Sequence, residues 1–126
     1  MKTKREIILE TSKKYTSKNR STVENSLYFG GEGCLYKDDE GYKCAVGRCL
    51  RDDSRLFHEG NNLPVTRFKE ELESELKAEY RGHCNEFWAE LQTLHDQGTH
   101  WDYKGISKKG EEYVEYLLDT WGINNP

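Results

Sequence analysis

A chain of 126 residues is long enough for one domain whose core needs no disulfide staples. It is 34% hydrophobic and 33% charged with a mean hydropathy of −1.00, a balance that would suggest disorder were it not for three Trp, eight Tyr and four Phe, which supply large buried areas per residue. Nineteen basic side chains against 23 acidic ones give a net charge of −4, which disfavours nucleic-acid binding by bulk electrostatics.

No apolar run approaches the roughly 20 residues of a membrane span, and Met1 to Glu10 lacks the apolar core of a secretory leader. The expectation is a single domain over residues 1–126, cytoplasmic, with no membrane partner and with Cys34, Cys44, Cys49 and Cys84 as free thiols.

In chain order, residues 1–20 are expected to form a first helix with Ile8, Ser12 and Tyr15 on one side. Ser21-Thr22-Val23-Glu24 has the capping-box pattern and predicts a short second helix carrying Val23 and Leu27. Gly30-Gly31-Glu32-Gly33 is a connector, because no Lys-Ser/Thr follows it at the spacing of a phosphate loop.

Cys34 to Leu50 is expected to organise the rest. Cys34 and Tyr36 alternate with Leu35 and Lys37, and Tyr42, Cys44 and Val46 alternate with Lys43 and Ala45, which predicts two half-buried strands. Asp38-Asp39-Glu40-Gly41 would turn between them, with Gly41 at positive φ. Gly47 breaks the second strand, and a helix is expected to start at Arg48-Cys49-Leu50.

Residues 59–64 read as a loop. Val65, Phe68, Leu72, Leu76 and Tyr80 recur at three- and four-residue steps and predict an amphipathic helix that stops before Gly82. Asn85 is expected to cap the next helix, with Phe87, Trp88, Leu91, Leu94 and His95 on one face and an end at Gly98. A polar loop around Trp101 and Tyr103 follows. Ser107 caps a last helix with the stripe Tyr113, Val114, Leu117, Leu118 and Trp121, and Gly122-Ile123 fits a Schellman stop. The fold class is therefore α+β, mostly helical, with a small antiparallel hairpin or sheet packed on four to five helices.

The chemistry-bearing residues do not assemble into a catalytic signature. Cys34, Cys44 and Cys49 lack the tight Cys-x2–4-Cys spacing of structural zinc, so buried thiols behaving as small hydrophobes are the simpler reading. His95-Asp96 lacks the further ligands of a His-Asp metal hydrolase, and His100 is five residues on rather than four. Cys49 at a helix start is the best-placed nucleophile, with no His named as its base. Gly47-Arg48 offers backbone N–H groups beside a guanidinium, an arrangement suited to an anion.

Two motifs carry a resemblance. Cys44-Ala45-Val46-Gly47 after a short hairpin, followed by Leu91-Gln92-Thr93-Leu94-His95-Asp96 and Trp101, resembles small phage and bacterial proteins grouped as a domain of unknown function. The resemblance spans residues 34 to 102 and departs in the charged segment Phe68 to Tyr80 and in Cys49. It implies a compact α+β fold and a phage origin, and it carries no activity.

The leading expectation is a non-enzymatic, phage-type accessory protein that binds a host protein through its surface, without cofactor, metal or catalytic residues. The alternative is a small-ligand binder for a nucleotide or other phosphate-bearing molecule, using Tyr42, Gly47, Arg48, His95 and Trp101. A metal- or Cys-dependent hydrolase is the third reading.

Overall fold

The computed structural model describes residues 1–19, 22–23, 33–34, 36–37, 41–59 and 65–122. The order of elements is α1 (Lys4–Ser12), β1 (Thr22–Val23), β2 (Gly33–Cys34), a 3-10 turn (Gly47–Cys49), α2 (Leu56–Glu59), a 3-10 turn (Val65–Phe68), α3 (Leu72–Glu75), a 3-10 turn (Ala78–Tyr80), α4 (Asn85–Asp96), a 3-10 turn (Gly98–His100), β3 (Trp101–Asp102), β4 (Gly105–Ile106) and α5 (Lys108–Leu117), which runs on into a π-type turn at Leu118–Gly122. It is an α+β fold in which helix predominates, with two small antiparallel ladders, β1–β2 and β3–β4.

Helix α1 starts on a capping box that sequence reading placed elsewhere. Thr3 Oγ1 accepts from the Glu6 amide at 3.1 Å, and Glu6 Oε1 accepts from the Thr3 amide at 3.0 Å. The helix stops at Ser12, well before residue 20. Thr11 and Ser12 turn their hydroxyls back onto the carbonyls of Ile7 and Leu9, the local competition that makes such residues poor helix interiors. Asn19 then ties off the next segment by accepting from the Thr16 amide and donating to the Lys14 carbonyl.

The expected second helix is also corrected, since Thr22–Val23 pairs with Gly33–Cys34 as a strand; Leu27 lies outside the described residues. The central hairpin is reduced to one bridge, Lys37 to Lys43. Alternation fails beyond it: Cys44, Ala45 and Val46 are all fully buried in a turn. The Val46 amide finds its acceptor in the side chain of Gln92 on α4, at 3.2 Å, instead of on a partner strand. Gly41 does take φ +91°, while Asp38, Asp39 and Glu40 lie outside the described residues. Gly47 is required by contact, because a Cβ there would stand 2.1 Å from the Tyr36 carbonyl oxygen.

The helix expected from Val65 to Tyr80 is broken into three short pieces, yet its periodicity identifies the buried side chains. Val65, Phe68, Leu72, Leu76 and Tyr80 all face the core. Continuity is lost because Leu76 leaves the helix to pair with Leu50, with Arg51 N donating to Glu75 O at 2.9 Å and Lys77 N to Cys49 O at 2.8 Å. The buried Glu75 carboxylate fixes the crossing by accepting from Ser54 Oγ (2.6 Å) and the Arg55 amide (3.1 Å). The Ser54 hydrogen bond is the main reason its carboxyl lies below the ordinary range.

Helix α4 is the core's axis, with Phe87, Trp88, Leu91 and Leu94 fully buried. Cys84, not Asn85, occupies the N-cap; Asn85 instead reaches across to the Val65 carbonyl. The expected polar loop after α4 holds a 3-10 turn and the β3–β4 hairpin, closed by Asp102 Oδ1 accepting from the amides of Lys104 and Gly105. Ser107 caps α5 by accepting from the Gly110 amide. The Schellman stop at Ile123 lies outside the described residues.

Two glycines should respond differently to alanine. Gly41 has open space around its missing Cβ and would pay only for positive φ, about 1 kcal/mol. At Gly110 a Cβ would meet the His100 carbonyl oxygen at 2.3 Å and the Ile106 side chain at 2.5 Å. Gly110→Ala should therefore cost more, about 1–3 kcal/mol, in equilibrium denaturation of the two variants.

Candidate functional site: a basic cleft walled by tyrosines

The end of α1, the segment after it, the 3-10 turn at Gly47–Cys49 and the strand-like residues 41–43 enclose a cleft of about 530 Å³. Its described walls hold four cations, Lys14, Lys43, Arg48 and Lys77, against one acid, Glu10. Tyr15, Tyr42 and Tyr80 supply its aromatic surface. On a chain of net charge −4 this is a local reversal of sign.

The cleft's floor is a hydrogen-bonded ion cluster. Arg48 Nη1 donates to Glu10 Oε1 and to Tyr80 Oη (3.3 Å), and Nη2 donates to Thr11 Oγ1 at 2.6 Å. Tyr80 Oη donates to Glu10 Oε1 at 2.6 Å, and Lys2 Nζ to Glu10 Oε2 at 2.7 Å. Burial alone would push the Glu10 carboxyl up, but hydrogen bonds from Lys2, Tyr80 and Arg48 outweigh it and hold the group at about 2. Burial, followed by the bond to Glu10, pushes the Tyr80 phenol well above its ordinary value.

The five residues singled out by sequence fall into three positions. Tyr42 and Arg48 line the cleft. Gly47 lies buried beneath it, and its amide donates to Cys44 Sγ at 3.2 Å. The amides of Arg48 and Cys49 go to the carbonyls of Cys44 and Val46, so these three N–H groups are committed within the turn. The guanidinium is likewise committed to Glu10, in place of the Asp52 or Glu32 that proximity in sequence suggests.

His95 and Trp101 stand one layer back. Each meets the Tyr15 ring edge-on, at 4.7 and 5.7 Å between centroids. His95 is fully buried and pairs through Nδ1 with Asp96 Oδ1 at 2.8 Å, which also accepts from Gln92 Nε2. The Trp101 indole N–H donates to the carbonyls of Leu94 and His95. These residues orient Tyr15, which presents the cleft wall.

Lys14, Lys77, Tyr15, Tyr80 and Glu10 belong to the cleft and were not identified as site residues from the sequence. Only Lys13-Lys14-Tyr15 gives a local hint, a basic pair beside an aromatic; Lys77 and Tyr80 arrive from 60 residues downstream through the Leu50–Leu76 bridge.

The hydrolase reading finds little to build on. Among the described residues no group of three His, Cys, Asp or Glu is placed to hold a metal ion. Cys44 and Cys49 are buried free thiols and Cys84 an exposed one. Burial pushes the Cys49 thiol up to about 12 despite the neighbouring guanidinium, so it is not a thiolate at neutral pH. Among the described residues no helix is long and apolar enough to cross a membrane. No family model, no curated protein and no solved structure matches the chain.

Two outcomes test the floor. Arg48→Ala leaves the half-buried Glu10 without its main partner and should cost about 3 kcal/mol or more. Because the Glu10 carboxyl lies below its ordinary value of 4.5, its contribution is complete above that pH and is withdrawn as pH falls towards about 2. Denaturation of wild type and Glu10→Gln across this window should show their stability difference shrinking steadily with acid.

Proposed function

We propose that the protein binds a small anionic ligand, of the phosphate-bearing class, in the cleft between α1 and the Gly47–Cys49 turn. The observation that carries this reading is the concentration of four cations against one acid in a tyrosine-walled recess of about 530 Å³. That volume lies within the roughly 300–1,000 Å³ of small-molecule sites.

Arg48 is not the receptor in this reading. Its guanidinium neutralises Glu10, and the charges left to a ligand are the ammonium groups of Lys14, Lys43 and Lys77. Lys14 is exposed, and Lys43 and Lys77 are half-buried. The nearest acid to Lys43 is Asp52, at 3.9 Å and 91% exposed, which leaves the ammonium free to turn to a stronger acceptor. The host-interaction reading gives way to this one because the cleft supplies a defined concave surface with a chemical preference. The exposed large apolar side chains, Met1, Tyr42, Tyr103 and Tyr116, are dispersed along the chain.

Titration with inorganic pyrophosphate, followed by thermal shift and calorimetry, is the direct test. At about 100 times Kd a specific ligand should add roughly 2.7 kcal/mol of stability. Lys14→Glu and Lys77→Glu should each weaken binding roughly tenfold or more, the value of one charge-assisted hydrogen bond. The absence of any shift with phosphate, pyrophosphate or nucleotides would refute the reading.

A further inference from the structure

We infer that the ligand is a nucleoside di- or triphosphate, with its phosphates among Lys14, Lys43 and Lys77 and its base against Tyr42; this rests on the phosphate-ligand reading above. Four observations lead to it.

The first is size. A recess of about 530 Å³ is far larger than a bare phosphate ion needs, so the anion brings a body with it. The second is the kind of charge. The planar guanidinium that would grip one phosphate in two places is bound to Glu10 and Thr11. What remains are three ammonium groups, which act as separate point charges on flexible stems. They come from three different parts of the chain, so they suit negative charge spread over successive phosphates better than charge held on one.

The third observation separates the tyrosines. Tyr15 and Tyr80 are each only 6% exposed and are wedged in place, Tyr15 edge-on to His95 and Trp101, Tyr80 by its hydrogen bond to Glu10. Tyr42 is 42% exposed, next to the positive-φ Gly41 in the cleft wall. It is the cleft aromatic with enough open ring surface for a base to stack on, beside cations that hold the phosphates. The fourth lies deeper. The Tyr15 hydroxyl sits beside Arg48 with no hydrogen-bond partner in the protein, and neither has Arg48 Nε. Buried polar groups left unpaired are costly, and a hydroxyl-rich sugar reaching the cleft wall would give them a partner.

Calorimetry with pyrophosphate, adenosine and a panel of adenine, guanine, uracil and cytosine nucleoside di- and triphosphates tests this. At least one nucleotide should bind about tenfold or more tighter than pyrophosphate, the increment of one base–aromatic stack. Tyr42→Leu should collapse that ratio towards one, and Tyr42→Phe should keep it. If pyrophosphate binds as tightly as every nucleotide, the nucleotide inference fails while the phosphate-ligand reading stands. A ratio that survives Tyr42→Leu also overturns the inference, since the base then lies elsewhere. If neither pyrophosphate nor any nucleotide binds, both readings fall together.

Discussion

The fold turns on one ion pair. Arg48 and Glu10 are 38 residues apart, and their contact holds α1 against the turn that follows the central bridge. Tyr80 and Lys2 close the same carboxylate from two further directions. Four separate segments of the chain therefore meet on one acidic side chain. An ion pair in this setting offsets its own desolvation only when its remaining lone pairs and protons are satisfied. Three donors on Glu10, with a fourth bond from the guanidinium to Thr11, meet that condition almost completely.

The rest of the core is arranged around that constraint. Because Arg48 must reach α1, the backbone before it cannot continue as a regular strand. It bends at Cys44–Val46, with Gly47 pressed against the Tyr36 carbonyl. The amide that this bend exposes is recovered by Gln92, whose other end binds Asp96, which in turn holds His95. A polar relay thus runs from the turn through α4 to the ring that supports Tyr15. The cleft is a by-product of this packing as much as a designed hollow: its two inner tyrosines are core residues whose edges happen to face out.

The sequence was legible where a local rule was strong. Spacing identified the buried faces of α4 and α5, the Ser107 cap and the positive φ of Gly41. It also identified every apolar side chain of the 65–80 segment that reaches the core. What it could not show was continuity. A three- and four-residue repeat reports which side chains are buried, and a broken series of short turns can bury the same set as one helix. Likewise Thr3-Lys4-Arg5-Glu6 and Ser21-Thr22-Val23-Glu24 carry the same capping pattern, and only the first caps a helix, because the second pair of residues is taken by β2. The candidate site was legible in part for the same reason. Tyr42 and Arg48 could be found from their neighbourhood, whereas Lys14 and Lys77 reach the cleft through long-range pairing that leaves no mark on nearby sequence.

The committed guanidinium nevertheless matters to the cleft's chemistry. Glu10 is the one acid among the described wall residues, and left unpaired it would oppose any anion entering beside Lys14 and Lys77. With Arg48 on one oxygen and Lys2 on the other, its charge is more than cancelled, and the wall becomes positive overall. Arg48 thus shapes recognition without reaching out to a ligand: it removes a repulsion. The distinction has an electrostatic signature. A contact made directly by a cation is screened by salt in proportion to its exposure, while the masking of Glu10 by a guanidinium 12% exposed is shielded from added ions by the protein around it. The salt dependence of anion binding in this cleft should therefore follow its lysines, and its existence should follow the buried pair.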